Sequence, residues 1–160
     1  MLDIADALHR WTAEGREYAV ATVVSVDGSA PRGPGAALAV DSEGTAIGSV
    51  SGGCVEGAVY ELCAQALQDG RSVRESFGYS DEDAFAVGLT CGGVLDILVT
   101  PVRDETPERA VFQAALSAAT SGGTEAVASF VHDGDTVSLE GFTTRPATAP
   151  PAPARSVSCP

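Results

Sequence analysis

Leu2, Ala5, Leu8 and Trp11 or Thr12 recur at helical spacing and Gly15 ends the run, which predicts a helix over residues 2–14. Tyr18 to Val26 (YAVATVVSV) is rich in β-branched residues and carries no charge, the pattern of a strand buried on both faces. Ala36 to Val40 and Thr45 to Val50 flank the polar stretch Asp41-Ser42-Glu43-Gly44, which predicts a hairpin. The clearest helix covers residues 54–69. Val55, Ala58, Val59, Leu62, Cys63, Ala66 and Leu67 form its apolar face, with Glu56, Glu61, Gln65 and Gln68 opposite and Gly70 following. Ser51 or a following glycine is placed to cap its start, and Glu56 suits the positive end of its dipole. Ser72 to Tyr79 and Val94 to Val99 read as strands, with an acidic turn at Ser80-Asp81-Glu82-Asp83 between them. Thr106-Pro107-Glu108 opens a further amphipathic helix that closes at Ser121-Gly122-Gly123. Val127 to Val131 and Thr136 to Leu139 bracket Asp133-Gly134, a second hairpin signal.

Helices and strands therefore mix with hairpins and do not alternate strictly. The expected class is α+β (mixed α/β): one small domain whose mixed or antiparallel sheet is packed by two to three helices. From Arg145 onward Pro146, Pro150, Pro151, Pro153 and Pro160 are interleaved with Ala, Thr and Ser, and apolar periodicity disappears. This predicts a domain over 1–144 and a flexible tail or linker over 145–160.

Composition narrows the function. At 160 residues the chain has room for one domain, and 44% apolar residues with only 6% aromatic ones imply an aliphatic core. A net charge of −13 argues against nucleic acid or an anionic membrane as partner. There is no lysine, so any anion must be held by arginine or backbone amides. Asp3, Asp6, His9 and Arg10 interrupt any leader-like apolar run, and no stretch reaches the roughly 20 apolar residues of a membrane helix. Four cysteines without a secretory signal read as reduced thiols, which makes the cytoplasm the expected compartment.

Two of those cysteines are flanked by glycine pairs. Ser51-Gly52-Gly53-Cys54 runs into the 54–69 helix, and Cys91-Gly92-Gly93 runs into an apolar strand. Glycine pairs remove side-chain bulk, so amides and a thiolate can press on a ligand together. Cys54 also sits near a helix N-terminus, where a thiolate is favoured; the competing reading is a small buried residue. Cys63 lies on the apolar helix face and belongs to the core, while Cys159 is in the tail. Wide cysteine spacing, with only His9 and His132 available, speaks against zinc and against a Cys-His dyad; His132 reads as a solvated loop residue. The loop Gly28 to Gly35 contributes Ser29, Arg32 and three glycines, and arginine matches phosphate oxygens. Neither glycine run fits a P-loop or a dinucleotide fingerprint. Asp96, inside an apolar strand, must be paired, at an edge or protonated.

Taken in order, TVVSVDGSAPRGPGA (22–36), GSVSGGCVEGAV (48–59) and GLTCGGVLDILV (88–99) resemble the N-terminal domain of the XdhC/CoxI family, over about residues 5–103. These are accessory proteins of xanthine dehydrogenase and carbon monoxide dehydrogenase. The resemblance implies a chaperone, more a carrier than a catalyst, that binds molybdenum cofactor (molybdopterin) as cargo. It implies help with the cofactor's sulfuration by a cysteine desulfurase and delivery to a molybdenum hydroxylase such as xanthine dehydrogenase or CO dehydrogenase. The family motifs carry over to Gly28, Ser29, Arg32 and Gly35, to Ser51, Gly52, Gly53, Cys54 and Glu56, and to Cys91, Gly92 and Gly93. In this reading Cys54 and Cys91 are the candidate molybdenum ligands, and amides at 51–54 with Arg32 hold phosphate or oxo groups. Family members commonly continue, after a linker, into a Rossmann-like domain; this sequence stops inside what reads as that linker, so either a separate Rossmann-domain partner or a truncated or split form is expected. Two alternatives stay open: a non-catalytic scaffold for a hydroxylase, and a sulfur transferase carrying a persulfide on Cys54. Homo-oligomerisation is open as well.

Overall fold

The computed structural model describes residues 2–78, 93–104, 106–120, 124–133 and 136–146. A 3-10 turn, Leu2–Ile4, leads into α1, Ala5–Ala13. Then come β1 (Tyr18–Asp27), β2 (Ala37–Asp41), β3 (Ala46–Gly48), α2 (Glu56–Asp69), β4 (Val73–Phe77) and β5 (Val94–Val102). α3 (Pro107–Thr120) and the hairpin β6 (Thr124–Asp133) and β7 (Thr136–Pro146) follow. The first five strands form one sheet in the order β3-β2-β1-β5-β4, and β6 and β7 pair separately. Every pairing is antiparallel, which resolves the mixed-or-antiparallel expectation.

β1 is central because it is apolar on both sides. Ala19, Ala21 and Val23 face a core closed by α2 through Val59, Cys63 and Ala66 and by Val55 just before it. Tyr18 and Val20 face the opposite core, closed by Leu8 and Trp11 of α1 and by Phe112 and Leu116 of α3. The result is a three-layer arrangement, with helices on both faces of the sheet. Asp41 shapes the β2–β3 turn by accepting the N–H groups of Glu43 (3.0 Å) and Thr45 (2.7 Å). Arg109 ties α3 to the end of α1 by donating to the carbonyls of Arg16 and Thr12, each at 2.9 Å.

Two expectations shift. The second hairpin is longer than its periodicity suggested, and Arg145 and Pro146 pair with Glu125 and Thr124 inside it. Cross-strand pairing thus outlasts the change in composition, and only the part of the proposed tail from 147 onward lies outside the described residues. His132, read as a loop residue, is on β6 opposite Val137. Among the described residues no helix is long and apolar enough to cross a membrane.

Candidate functional site

β1 ends at Asp27, β5 begins at Val94, and the two residues pair with each other. The loop leaving β1 and the segment entering β5 therefore share one end of the sheet. A β-carbon on Gly93 would run into the carbonyl of Ser29 and come within 3.0 Å of the Asp27 carbonyl oxygen. The glycine is there because backbone already fills the space. A β-carbon on Gly52 would come within 3.9 Å of the Pro31 side chain, so the segment before α2 lies against the same loop. Three motifs distant in sequence thus meet at one edge of the fold. Cys91 and Gly92, the acidic stretch 80–83 and Cys159 lie outside the described residues.

The loop 28–35 is closed by its own backbone. Gly35 donates its N–H to the Val23 carbonyl at 2.8 Å, and Ala36 donates to Gly33 at 3.1 Å. Gly28, Ser29 and Gly35 are exposed, and Arg32 is half-buried. The Arg32 guanidinium donates to Asp3 at 2.6 Å, which ties the loop to the N-terminal 3-10 turn.

Glu56 organises the neighbouring loop. Its Oε1 accepts the Ser49 hydroxyl at 2.6 Å and the N–H groups of Val50, Ser51 and Gly52 at 3.2, 2.9 and 2.9 Å. Its Oε2 accepts the Ser51 hydroxyl at 2.5 Å and the Gly53 N–H at 2.7 Å. Gly52 and Gly53 reach these positions at φ 80° and 122°, where an L side chain is strained. Ser51, buried, also accepts the Val55 N–H at 3.1 Å. Val55 is the N-cap of α2 and has no side-chain capping bond, so the cap expected of Ser51 or a following glycine is replaced by this turn just ahead of the helix. Partial burial would raise the Glu56 carboxyl, but the hydroxyls of Ser49 and Ser51 and the Ser51 N–H outweigh that and hold it at about 2. The amides of Ser51, Gly52 and Gly53, expected to face a ligand phosphate, are instead engaged by the chain's own carboxylate.

Cys54, half-buried, follows this loop directly and packs at the margin of the α2-side core. Cys63 is fully buried on α2, and burial pushes its thiol up to about 12, so it is a core residue. Asp96 is paired. It accepts the hydroxyls of Ser76 and of Ser25 (2.8 Å) and the Arg74 guanidinium (2.6 Å), which hold it ionised at about 2. Asp3 and Ser49 did not stand out as site residues in the sequence. The Ser49-x-Ser51 alternation ahead of Glu56 was the available signal for the second. Among the described residues no group of three His, Cys, Asp or Glu side chains is placed to hold a metal ion.

Comparison with known proteins places this geometry in context. Residues 11–78 match the model of the XdhC and CoxI family. The chain is 32% identical over 97 residues to the molybdenum cofactor insertion chaperone PaoD of Escherichia coli (strain K12), covering 61% of this chain and 30% of that protein. It is 33% identical over 95 residues to a probable xanthine dehydrogenase subunit of Bacillus subtilis (strain 168), covering 58% and 29%. A third relative, the uncharacterized Escherichia coli (strain K12) protein YqeB, is 37% identical over 84 residues, 52% of this chain and 15% of that one. The chain thus spans less than a third of the length of the curated relatives it matches. A crystal structure of a xanthine dehydrogenase from Bacillus halodurans superposes with a TM-score of 0.67 at 21% identity, over 88% of this chain and 42% of that one. That likeness shows a shared fold.

Proposed function

We propose that this chain, whose residues 11–78 match the model of the XdhC and CoxI family, is a molybdenum-cofactor-binding accessory module for a molybdenum hydroxylase. The observation that carries the reading is the meeting of the 28–35 loop, the Cys54 loop and the Gly93 segment at one end of the sheet. Similarity to PaoD, a molybdenum cofactor insertion chaperone, also supports it.

The residues suit an anionic cargo with soft ligands in two respects. A half-buried thiol at Cys54 can meet a metal or carry sulfur. The Arg32 guanidinium, held by the carboxylate of Asp3, is a fork of donors for phosphate or oxo groups. The amides of 51–53 are committed to Glu56 and are not counted. Cys91, two residues before Gly93, is the second thiol of the proposal. The work of such a site is grip and handover, with delivery to a hydroxylase such as xanthine dehydrogenase.

The test is anaerobic titration with molybdenum cofactor. One cofactor per chain, and loss of binding in the Cys54→Ala/Cys91→Ala double variant, is the expected result; equal binding by both proteins overturns the thiol assignment. Assistance with sulfuration is the finer part of the proposal. Incubation with a cysteine desulfurase and cysteine should add one sulfur to Cys54 or Cys91 by mass spectrometry, and an unchanged mass removes that part.

A further inference from the structure

We infer that Glu56 is a positioning residue: it acts on the cargo only through Cys54, by folding residues 49–53 round its own carboxylate so that the thiol is presented in one place. This rests on the proposed function for its ligand but on the loop geometry for its substance. A carboxylate offers about four lone-pair sites. Six donors to Glu56, four on Oε1 and two on Oε2, come from the five residues 49–53, and its own backbone N–H adds to them. No acceptor capacity is left to touch a ligand or take a proton from one.

The placement of those donors explains the role. α2 begins at Glu56, its N-cap Val55 has no side-chain capping bond, and Ser51 takes the Val55 N–H instead. The segment leading into α2 is therefore built backwards from Glu56, through Ser51, to Ser49. Ser49 adds a second acceptor for the Gly52 N–H at 2.9 Å. Cys54 follows directly on residues 49–53 and precedes Val55, the N-cap of α2, so it sits between a closed loop and a helix start. Such a site holds a side chain by the packing and hydrogen bonding of what surrounds it. Glu56→Gln replaces one acceptor oxygen with an NH₂ that meets donors, so the loop opens while α2 keeps its apolar face.

Two measurements test the assignment. In the first, affinity for molybdenum cofactor is measured for wild type, Glu56→Gln, Cys54→Ala and the double variant. Glu56→Gln should weaken binding at least tenfold, and the double variant should bind no worse than Cys54→Ala alone. Multiplied losses in the double variant mean that Glu56 touches the cargo itself, and wild-type affinity in Glu56→Gln means that it does nothing; either overturns the inference. In the second, which needs no cofactor, peptide-resolved alkylation by iodoacetamide should run at least fivefold faster at Cys54 in Glu56→Gln, while Cys63 stays unlabelled. An unchanged Cys54 rate overturns the inference even where cofactor binding fails and the functional reading falls with it. Ser49→Ala, which removes one donor and keeps the charge, should shift both readouts in the same direction by a smaller factor; no shift in either counts against the inference.

Discussion

The backbone carbonyl of Ser29 occupies the space where a side chain on residue 93 would begin. That contact brings the first and third glycine motifs together and leaves no room for a β-carbon without moving backbone. Gly93→Ala should therefore displace either the 28–35 loop or the start of β5. The expected loss of stability is about 1–3 kcal/mol, the range for overpacking a filled site. Chemical denaturation measures it. Gly33→Ala is the control, because a β-carbon there meets nothing within 4 Å. Equal stability of the two variants would show that the contact yields freely.

Asp3 competes with any anionic ligand for Arg32. Their 2.6 Å ion pair is about a third exposed on the arginine side, and such pairs hold on the order of 0.2–1 kcal/mol. An incoming phosphate can displace Asp3 at that cost. Asp3→Asn should then raise affinity for molybdenum cofactor by about two- to fivefold, and Arg32→Gln should lower it. With Arg32 already changed, Asp3→Asn should have no further effect. Titration of the three variants reads this directly, and weaker binding by Asp3→Asn would assign Asp3 to the binding surface itself.

The fold was legible where a pattern was periodic and uninterrupted. YAVATVVSV became the central strand because both its faces had to be buried, and the apolar face of 54–69 named the α2 core side chains, Cys63 included. Where cross-strand pairing decides the outcome, composition misled, as at Arg145 and Pro146 in β7. At the site, the glycine-flanked motifs pointed to a close approach of backbone, and Gly93 against Ser29 is one. The destination of the loop amides was not legible. Glu56 reads as a dipole partner from its place at the start of a helix, and only folding turns the five residues 49–53 round it. Asp3 and Arg32 are 29 residues apart, so nothing local links them.

Asp96 makes the stability of the fold sensitive to acid. The hydroxyls of Ser76 and Ser25 and the guanidinium of Arg74 bring it from the ordinary 3.8 to about 2 in the folded chain. A lowered folded value means that the unfolded chain binds the proton more readily. The stabilisation is thus complete above about pH 4 and fades as pH falls towards 2. Asp96→Asn should cost about 1–2 kcal/mol at neutral pH, with the half-exposed Arg74 contributing least. Its melting temperature should also fall less steeply than that of wild type between pH 4 and 2. Parallel melting curves for the two proteins across that interval would refute the linkage.

Thr100 offers a test in the opposite direction. Its side chain is 1% exposed on β5, and among the described residues its hydroxyl has no hydrogen-bond partner. Burying an unpartnered hydroxyl costs about 1–3 kcal/mol, so a side chain of the same shape without it should relieve the cost. Thr100→Val keeps the branched outline that suits a strand. It is expected to raise the denaturation midpoint by an amount equivalent to about 1 kcal/mol, with an unchanged denaturant slope. Thr22, 7% exposed and diagonally across from Thr100 on the same face of β1, has a hydroxyl in the same condition. Thr22→Val should therefore act in the same sense, and the double variant reports whether the two hydroxyls share a bound water. Additive gains mean each was buried alone; a loss on the first substitution that the second does not deepen means a water bridged them.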